Sequence, residues 1–207
     1  MLKLIQHLVV QHNGMLPEIP DCLYAYVVAG NGVLIYAKRP GLEVLIPVSR
    51  ARIVGLPALN PYVRLSQRVP KCLLLHALKV AQTHLPNEIL FWFNSKKYWT
   101  LQVPQQITCP SSTVPVESLD EMGTNALVDL HSHGLLPPFF SRADNKDEQG
   151  FRIYAVIGQL DKLPSIRVRI GVYGHYFDIP ASEVFEMPPE LLDILEEEGK
   201  ENECTTE

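Results

Sequence analysis

Between residues 23 and 48 the chain alternates short runs of aliphatic, aromatic and β-branched residues with small turn residues. LYAYVVA and GVLIYAKR flank Gly30-Asn31-Gly32. A small, φ-permissive connection between two apolar runs predicts a β-hairpin, and LEVLIPV extends it as a third strand. Residues 51–70 carry three prolines and one glycine, which predicts an irregular connection.

The period then changes. In PKCLLLHALKVAQTHLPNE, Pro70 stands where a helix can start, and Leu73, Leu74, Leu75, Ala77, Leu78 and Ala81 form a wide apolar stripe that ends before Pro86. That spacing predicts a helix. EILFWF and KYWTLQV read as two strands joined at Asn94-Ser95-Lys96, and the Pro/Ser/Thr-rich stretch from Pro104 to Pro115 as a loop. ALVDLHSH, FRIYAVIG, SIRVRIGVYG and HYFDIP are further strand patterns, and PPELLDILEEEGKENE has the spacing of an amphipathic acidic helix with a frayed tail. No internal repeat is visible. Helix, strands, a short helix and more strands give an α+β order, close to a three-layered α/β/α arrangement, rather than strict βαβ alternation. The changes of pattern divide the chain into a β-rich N-terminal domain (residues 1–67), a mixed domain (68–182) and a C-terminal acidic helix and tail (183–207).

Composition narrows the classes. With 207 residues, 46% hydrophobic and 20% charged, the chain is long enough for a substantial core and far from disordered or collagen-like compositions. A net charge of -5 argues against a basic nucleic-acid-binding face. Cys22, Cys72, Cys109 and Cys204 show no Cys-x-x-Cys spacing, which speaks against a disulfide framework or a thiolate zinc site and suits a reducing cytoplasm. The apolar N-terminal stretch is interrupted by Gln6 and His7 and lacks a small-residue cleavage site. No run reaches the roughly 18 apolar residues that span a bilayer, so a cytoplasmic protein without a membrane partner is expected.

The chemistry concentrates in LVDLHSHGLLPPFFSRAD, residues 127–144. In a strand, side chains two apart project from one face, so His131 and His133 can converge on one ion while Ser132 points away. Neutral imidazole is a favoured zinc ligand, and a catalytic zinc takes three protein ligands with one position open. Asp144 is a third ligand if the proline-stiffened loop folds back. Ser141-Arg-Ala-Asp144 also fits the Ser-x-x-Asp pattern of a capped helix start. A histidine pair on an apolar strand would leave buried polar nitrogens unless something ligates or bonds them.

His131-Ser-His133, seven intervening residues, Ser141, two more and Asp144 resemble the JAMM (MPN-plus) motif of the JAB/Mov34/PAD-1 zinc metallopeptidases. The resemblance covers about residues 68–180 and implies a JAB/MPN, cytidine-deaminase-like mixed sheet with flanking helices. It further implies that His131, His133 and Asp144 bind zinc, that Ser141 stabilises the tetrahedral intermediate, and that an upstream glutamate acts as general acid and base. Glu88, directly after the helix and before ILFWF, stands at that glutamate's place; Glu117 and Glu121 are the alternatives. Two positions depart from the pattern. Gly134 replaces the usual proline, and bulky Ile89 to Phe93 replace a small, glycine-containing segment.

The implied activity is zinc-dependent hydrolysis of an isopeptide or peptide bond, with removal of a ubiquitin-like modifier from a protein substrate as its expected form. The β-rich segment is similar to the arrangement in the A proteins of bacterial PRTRC systems, which implies a ThiF-like activating protein as partner. Members of the wider MPN fold that lack activity serve as protein-binding scaffolds, so an inactive, zinc-holding scaffold is the alternative. Among other residues, His76 is expected near the core of its helix and His84 at the helix end, and His7, His12 and His175 lack partners at metal spacing. Asp147 and Glu148 are expected to face solvent, with an outer hydrogen bond to His131 or His133 as the alternative. Trp92 and Trp99 are expected to pack. Phe139 and Phe140 fit either a substrate wall or an anchor for their loop.

Overall fold

A computed structural model describes residues 4–116 and 125–195; Glu117, Glu121 and Cys204 lie outside the described residues. Two large sheets form the frame. The first has five strands in sequence order: β1 (Ile5–Val9), β2 (Tyr24–Ala29), β3 (Gly32–Arg39), β4 (Leu42–Arg50) and β5 (Tyr62–Leu65). β1 runs parallel to β2 and the rest are antiparallel. The hairpin turn falls at Gly30 to Gly32, and Gly32 sits at φ +127°, where a Cβ would press into the Ser49 carbonyl at 2.1 Å. β1 and β5 are corrections to the sequence reading. Both are short, and β5 lies inside the stretch expected to be irregular.

Helix α1 (Lys71–Thr83) follows, beginning behind Pro70 as its apolar stripe predicts, with Leu74, Ala77, Leu78 and Ala81 buried. His76 points outward on the exposed face instead of toward the core. The second sheet contains β6 (Leu90–Ser95), β7 (Trp99–Gln102), β10 (Val128–Ser132), β11 (Phe151–Gly158), β12 (Ser165–Val172), β13 (His175–Ile179) and β14 (Leu192–Asp193). Its order is β13-β12-β11-β10-β6-β7, with β14 pairing beside β12. β10 is central: parallel to β11, antiparallel to β6. This mixed sheet with few helices is an α+β fold.

Two further expectations are corrected. The stretch 104–115 is not a loop but a separate hairpin, β8 (Gln106–Cys109) and β9 (Ser112–Pro115). Residues 188–195 do not form the expected acidic helix. Leu192 and Ile194 donate their N–H groups to the carbonyls of Pro164 and Ile166, so the segment pairs along β12 as β14. Residues 196–207 lie outside the described residues.

One apolar cluster joins the two sheets through α1. It gathers Ile35, Val44 and Ile46 of the first sheet, Leu74 and Leu78 of the helix, and Phe91, Phe93, Val128, Leu130 and Ile153 of the second. The first sheet buries its other face in a smaller cluster around Val27, Leu34, Leu45 and Leu59. Arg39 adds a polar link, donating to the carbonyls of Phe151 (2.7 Å), Ala126 and Asn125. Trp92 and Trp99 are buried packing residues, as expected. Among the described residues no helix is long and apolar enough to cross a membrane.

Candidate metal centre

Strand alternation builds the first half of the site. Val128 and Leu130 of β10 turn into the core, and the opposite face presents His131, followed by His133 just past the strand. Ser132 points away from them, as expected, and performs a connecting role. Its hydroxyl accepts the Ile89 N–H at 3.0 Å, while its own N–H donates to the Ile89 carbonyl at 3.0 Å. Glu88 is thereby held one residue from a double link to the histidine strand, and its own N–H donates to the Cys109 carbonyl of the β8–β9 hairpin at 2.9 Å.

The loop after His133 closes the second half. Gly134 adopts φ +53°, a conformation closed to proline, whose ring fixes φ near −65°. A Cβ there would stand 3.0 Å from the Pro86 carbonyl. Glycine is thus required at this position, and the proline usual in the motif that the stretch resembles would not fit. Leu136 N–H returns to the His133 carbonyl, and Gln159 and Leu160 at the end of β11 donate to Leu136 and Gly134. Gly158 allows this approach, because a Cβ would lie 2.2 Å from the Leu136 carbonyl.

The chain then enters the short helix α2 (Asp144–Asp147). Ser141 and Asp144 form a reciprocal cap. The Ser141 hydroxyl oxygen accepts the N–H groups of Ala143 (3.2 Å) and Asp144 (3.1 Å), and Asp144 Oδ2 accepts the Ser141 N–H at 2.5 Å. The cap occupies one carboxylate oxygen and leaves Oδ1 facing His131 Nε2 at 3.6 Å. The capped-helix reading and the ligand reading of Asp144 are therefore the same geometry. The Ser141 hydroxyl also lies within reach of the Asp144 carboxylate and helps to hold it ionised.

The two imidazoles meet edge to edge, Nε2 to Nε2 at 3.1 Å. Ligand atoms of His131, His133 and Asp144 all lie within 4.8 Å of one another. Burial pushes the pKa of both histidines below the usual range, with the Asp144 charge opposing it. Burial would raise the Asp144 pKa, but the neighbouring His131 and the hydrogen bonds from the Ser141 N–H and hydroxyl outweigh it and hold the carboxyl low. At neutral pH the donor set is thus two neutral imidazoles and one carboxylate, the protonation that a metal requires. Apart from each other and Asp144, the two facing Nε2 atoms have no hydrogen-bond partner among the described residues. These three groups fit a divalent cation that prefers nitrogen and oxygen ligands.

Glu88 is buried beside the cluster at 7% exposure. Burial first, and then the Asp144 charge, raise its pKa to about 7. The bulky Ile89 to Phe93 do not crowd it. Ile89, Phe91 and Phe93 pass into the main core, while Leu90 and Trp92 pack with Ala126 on the other side. The two loop aromatics divide the roles that the sequence left open. Phe139 stays 41% exposed with its ring 4.5 Å from the His133 ring, and Phe140 anchors the loop beneath the Arg169 guanidinium at 3.9 Å.

Sequence reasoning passed over Arg169 and expected Glu148 to face solvent. Asp147 is exposed, as expected, but Glu148 is buried. Its Oε1 lies 4.0 Å from His131 Nδ1 and its Oε2 is bonded to Arg169. Burial pushes the Glu148 carboxyl up, while the two hydrogen bonds from Arg169 to Oε2 favour its charged form. Nδ1 of His133 is buried without a partner at hydrogen-bond geometry, although the Pro137 backbone beside it favours a proton there.

Residues 72–171 match the family model of prokaryotic homologs of the JAB domain. The matched stretch runs from α1 to β12 and contains Glu88, His131, His133, Ser141 and Asp144. Among solved structures, the solution structure of a protein from Desulfitobacterium hafniense is similar at 17% identity and a TM-score of 0.36, covering 53% of this chain and 87% of that one. No curated protein matches.

Proposed function

We propose that the JAB-like part of the chain is a zinc-dependent hydrolase of a peptide or isopeptide bond in a protein substrate, in the manner of JAMM-type metallopeptidases. One observation carries the reading: two neutral imidazoles and a carboxylate converge on one point beside a buried carboxyl, Glu88, whose pKa lies near neutrality.

His131, His133 and Asp144 would hold the zinc ion. When bound, zinc supplies Lewis acidity, which polarises a carbonyl and makes water a stronger acid. Glu88, poised near pH 7, takes the proton of the attacking water and later returns it to the leaving amine. One carboxyl group serves both transfers, so no second acid is needed. The Ser141 hydroxyl, turned from the Asp144 carboxylate, would donate to the oxyanion that develops as the carbonyl becomes tetrahedral. The cap bonds fix the Ser141 oxygen before substrate arrives, so this donor costs little reorganisation. On this reading the substrate is a protein carrying a ubiquitin-like modifier, and a ThiF-like activating protein would catalyse the opposing conjugation.

The test is metal analysis of the purified protein followed by turnover of modifier–lysine isopeptides and peptides by wild type and Glu88→Gln. One zinc per chain is expected, with turnover reduced about 10²- to 10⁴-fold in the variant. Equal turnover in both proteins would remove Glu88 from the mechanism. Zinc without cleavage of any amide would favour the inactive scaffold.

A further inference from the structure

The far side of the His131 ring is built as deliberately as the side that faces His133. Glu148 closes α2 one turn beyond Asp144, and its Oε1 stands 4.0 Å from His131 Nδ1. Among the described residues it is the one carboxylate within ion-pair reach of that nitrogen. The separation exceeds hydrogen-bond length by about an ångström.

Glu148 is itself gripped. Arg169 donates Nε (3.0 Å) and Nη2 (2.5 Å) to Oε2 and Nη1 to Asn145 Oδ1 (2.7 Å). The guanidinium lies between the rings of Phe140 and Tyr176, at 3.9 and 3.8 Å. The Tyr176 hydroxyl stands 3.0 Å from the carbonyls of both Asn145 and Glu148. Tyr154 accepts the Gly150 N–H at 3.0 Å, and its ring lies across Gly171, where a Cβ would come within 2.4 Å. Side chains from β11, β12 and β13 thus fasten the segment that carries both Asp144 and Glu148.

A buried arginine–carboxylate pair is poor value as a stability device, because the desolvation cost of both ions offsets much of their attraction. The pair is better explained by what it faces. Resting on the metal reading above, we propose that Glu148 and Arg169 are positioning residues for His131. Arg169 orients Glu148, and Glu148 accepts the Nδ1–H of His131, which fixes the tautomer with the Nε2 lone pair directed at the cation.

The experiment compares zinc affinity, by chelator competition, in wild type, Glu148→Gln, Arg169→Gln, the double variant and Asp144→Ala. Glu148→Gln keeps the side-chain size and is expected to weaken zinc binding about 10- to 100-fold. Arg169→Gln is expected to act in the same direction, and the double variant no more strongly than the weaker-binding single. Nitrogen-15 spectra of histidine-labelled, zinc-loaded wild type should show His131 as the Nδ1–H tautomer with a strongly deshielded proton, and that deshielding should be lost in Glu148→Gln. A merely structural role would move neither readout once melting shows the variant folded. Zinc affinity within two-fold of wild type in Glu148→Gln, with binding abolished in Asp144→Ala, would overturn the positioning role and leave the metal site standing. Absence of zinc binding in wild type would overturn both.

Discussion

The two large sheets treat buried polarity in opposite ways. Among the described residues, every buried polar or charged side chain lies between Glu88 and Arg169, on or beside the seven-stranded sheet: Glu88, Asn94, His131, Ser132, His133, Glu148, Ser165 and Arg169. The five-stranded sheet buries aliphatic and small residues on both faces and has none. Unpaired polar groups are costly to bury, so their collection on one of the two sheets marks where stability has been given up for chemistry. Strand β10 shows the division within five residues. Val128 and Leu130 belong to the core shared with the five-stranded sheet, and His131 belongs to the site.

This contrast can be broken from either side. Leu34→Ala removes a fully buried side chain from the cluster on the far face of the five-stranded sheet. It should cost about 2–4 kcal/mol in denaturant unfolding and leave zinc affinity within two-fold of wild type. A parallel loss of zinc affinity would show that the two sheets are not separable in this way.

Glu88→Gln tests the other side, with a smaller effect and opposite sign. The folded carboxyl titrates near 7 and the unfolded one near 4.5. Between those values the folded state retains a proton that the unfolded state has lost, so wild-type stability falls as pH rises through this window. The penalty is absent at pH 4.5 and below and complete above 7. Metal-free Glu88→Gln should therefore match wild type at pH 4.5 and exceed it by about 1–2 kcal/mol at pH 8. That range is lower than the roughly 3 kcal/mol a shift of this size implies, because the side chain keeps some solvent contact. Thermal melts at the two pH values decide it. A difference that does not change with pH would mean that burial does not strain Glu88.

What the sequence disclosed follows the range of the interactions. The hairpin at Gly30 to Gly32, helix α1 and the alternation of β10 are governed by neighbours along the chain. The Ser141–Asp144 cap is equally local, whereas the pattern leaves the approach of Asp144 to the histidines open, and it is expected only through the resemblance to the JAMM motif. Arg169 could not be anticipated, and for Glu148 a hydrogen bond to a histidine is only the alternative to a solvent-facing position. A carboxylate just past a four-residue helix has no periodicity to place it, and Arg167 and Arg169 alternate with apolar residues in SIRVRIGV as solvent-facing positions would. Only the return of the 134–150 segment over β12 buries them. The β8–β9 hairpin escaped notice because its Pro/Ser/Thr-rich sequence has turn chemistry throughout. In LLDIL the helical spacing was real, but pairing with Pro164 and Ile166 beside β12 prevails.

The central claim is that His131, His133 and Asp144 hold one divalent cation between them. Calorimetric titration of the metal-free protein with zinc tests it most directly, with Asp144→Ala alongside. The expected result is one equivalent of zinc bound by wild type and none by the variant. No uptake by wild type, or equal uptake by both proteins, would contradict it.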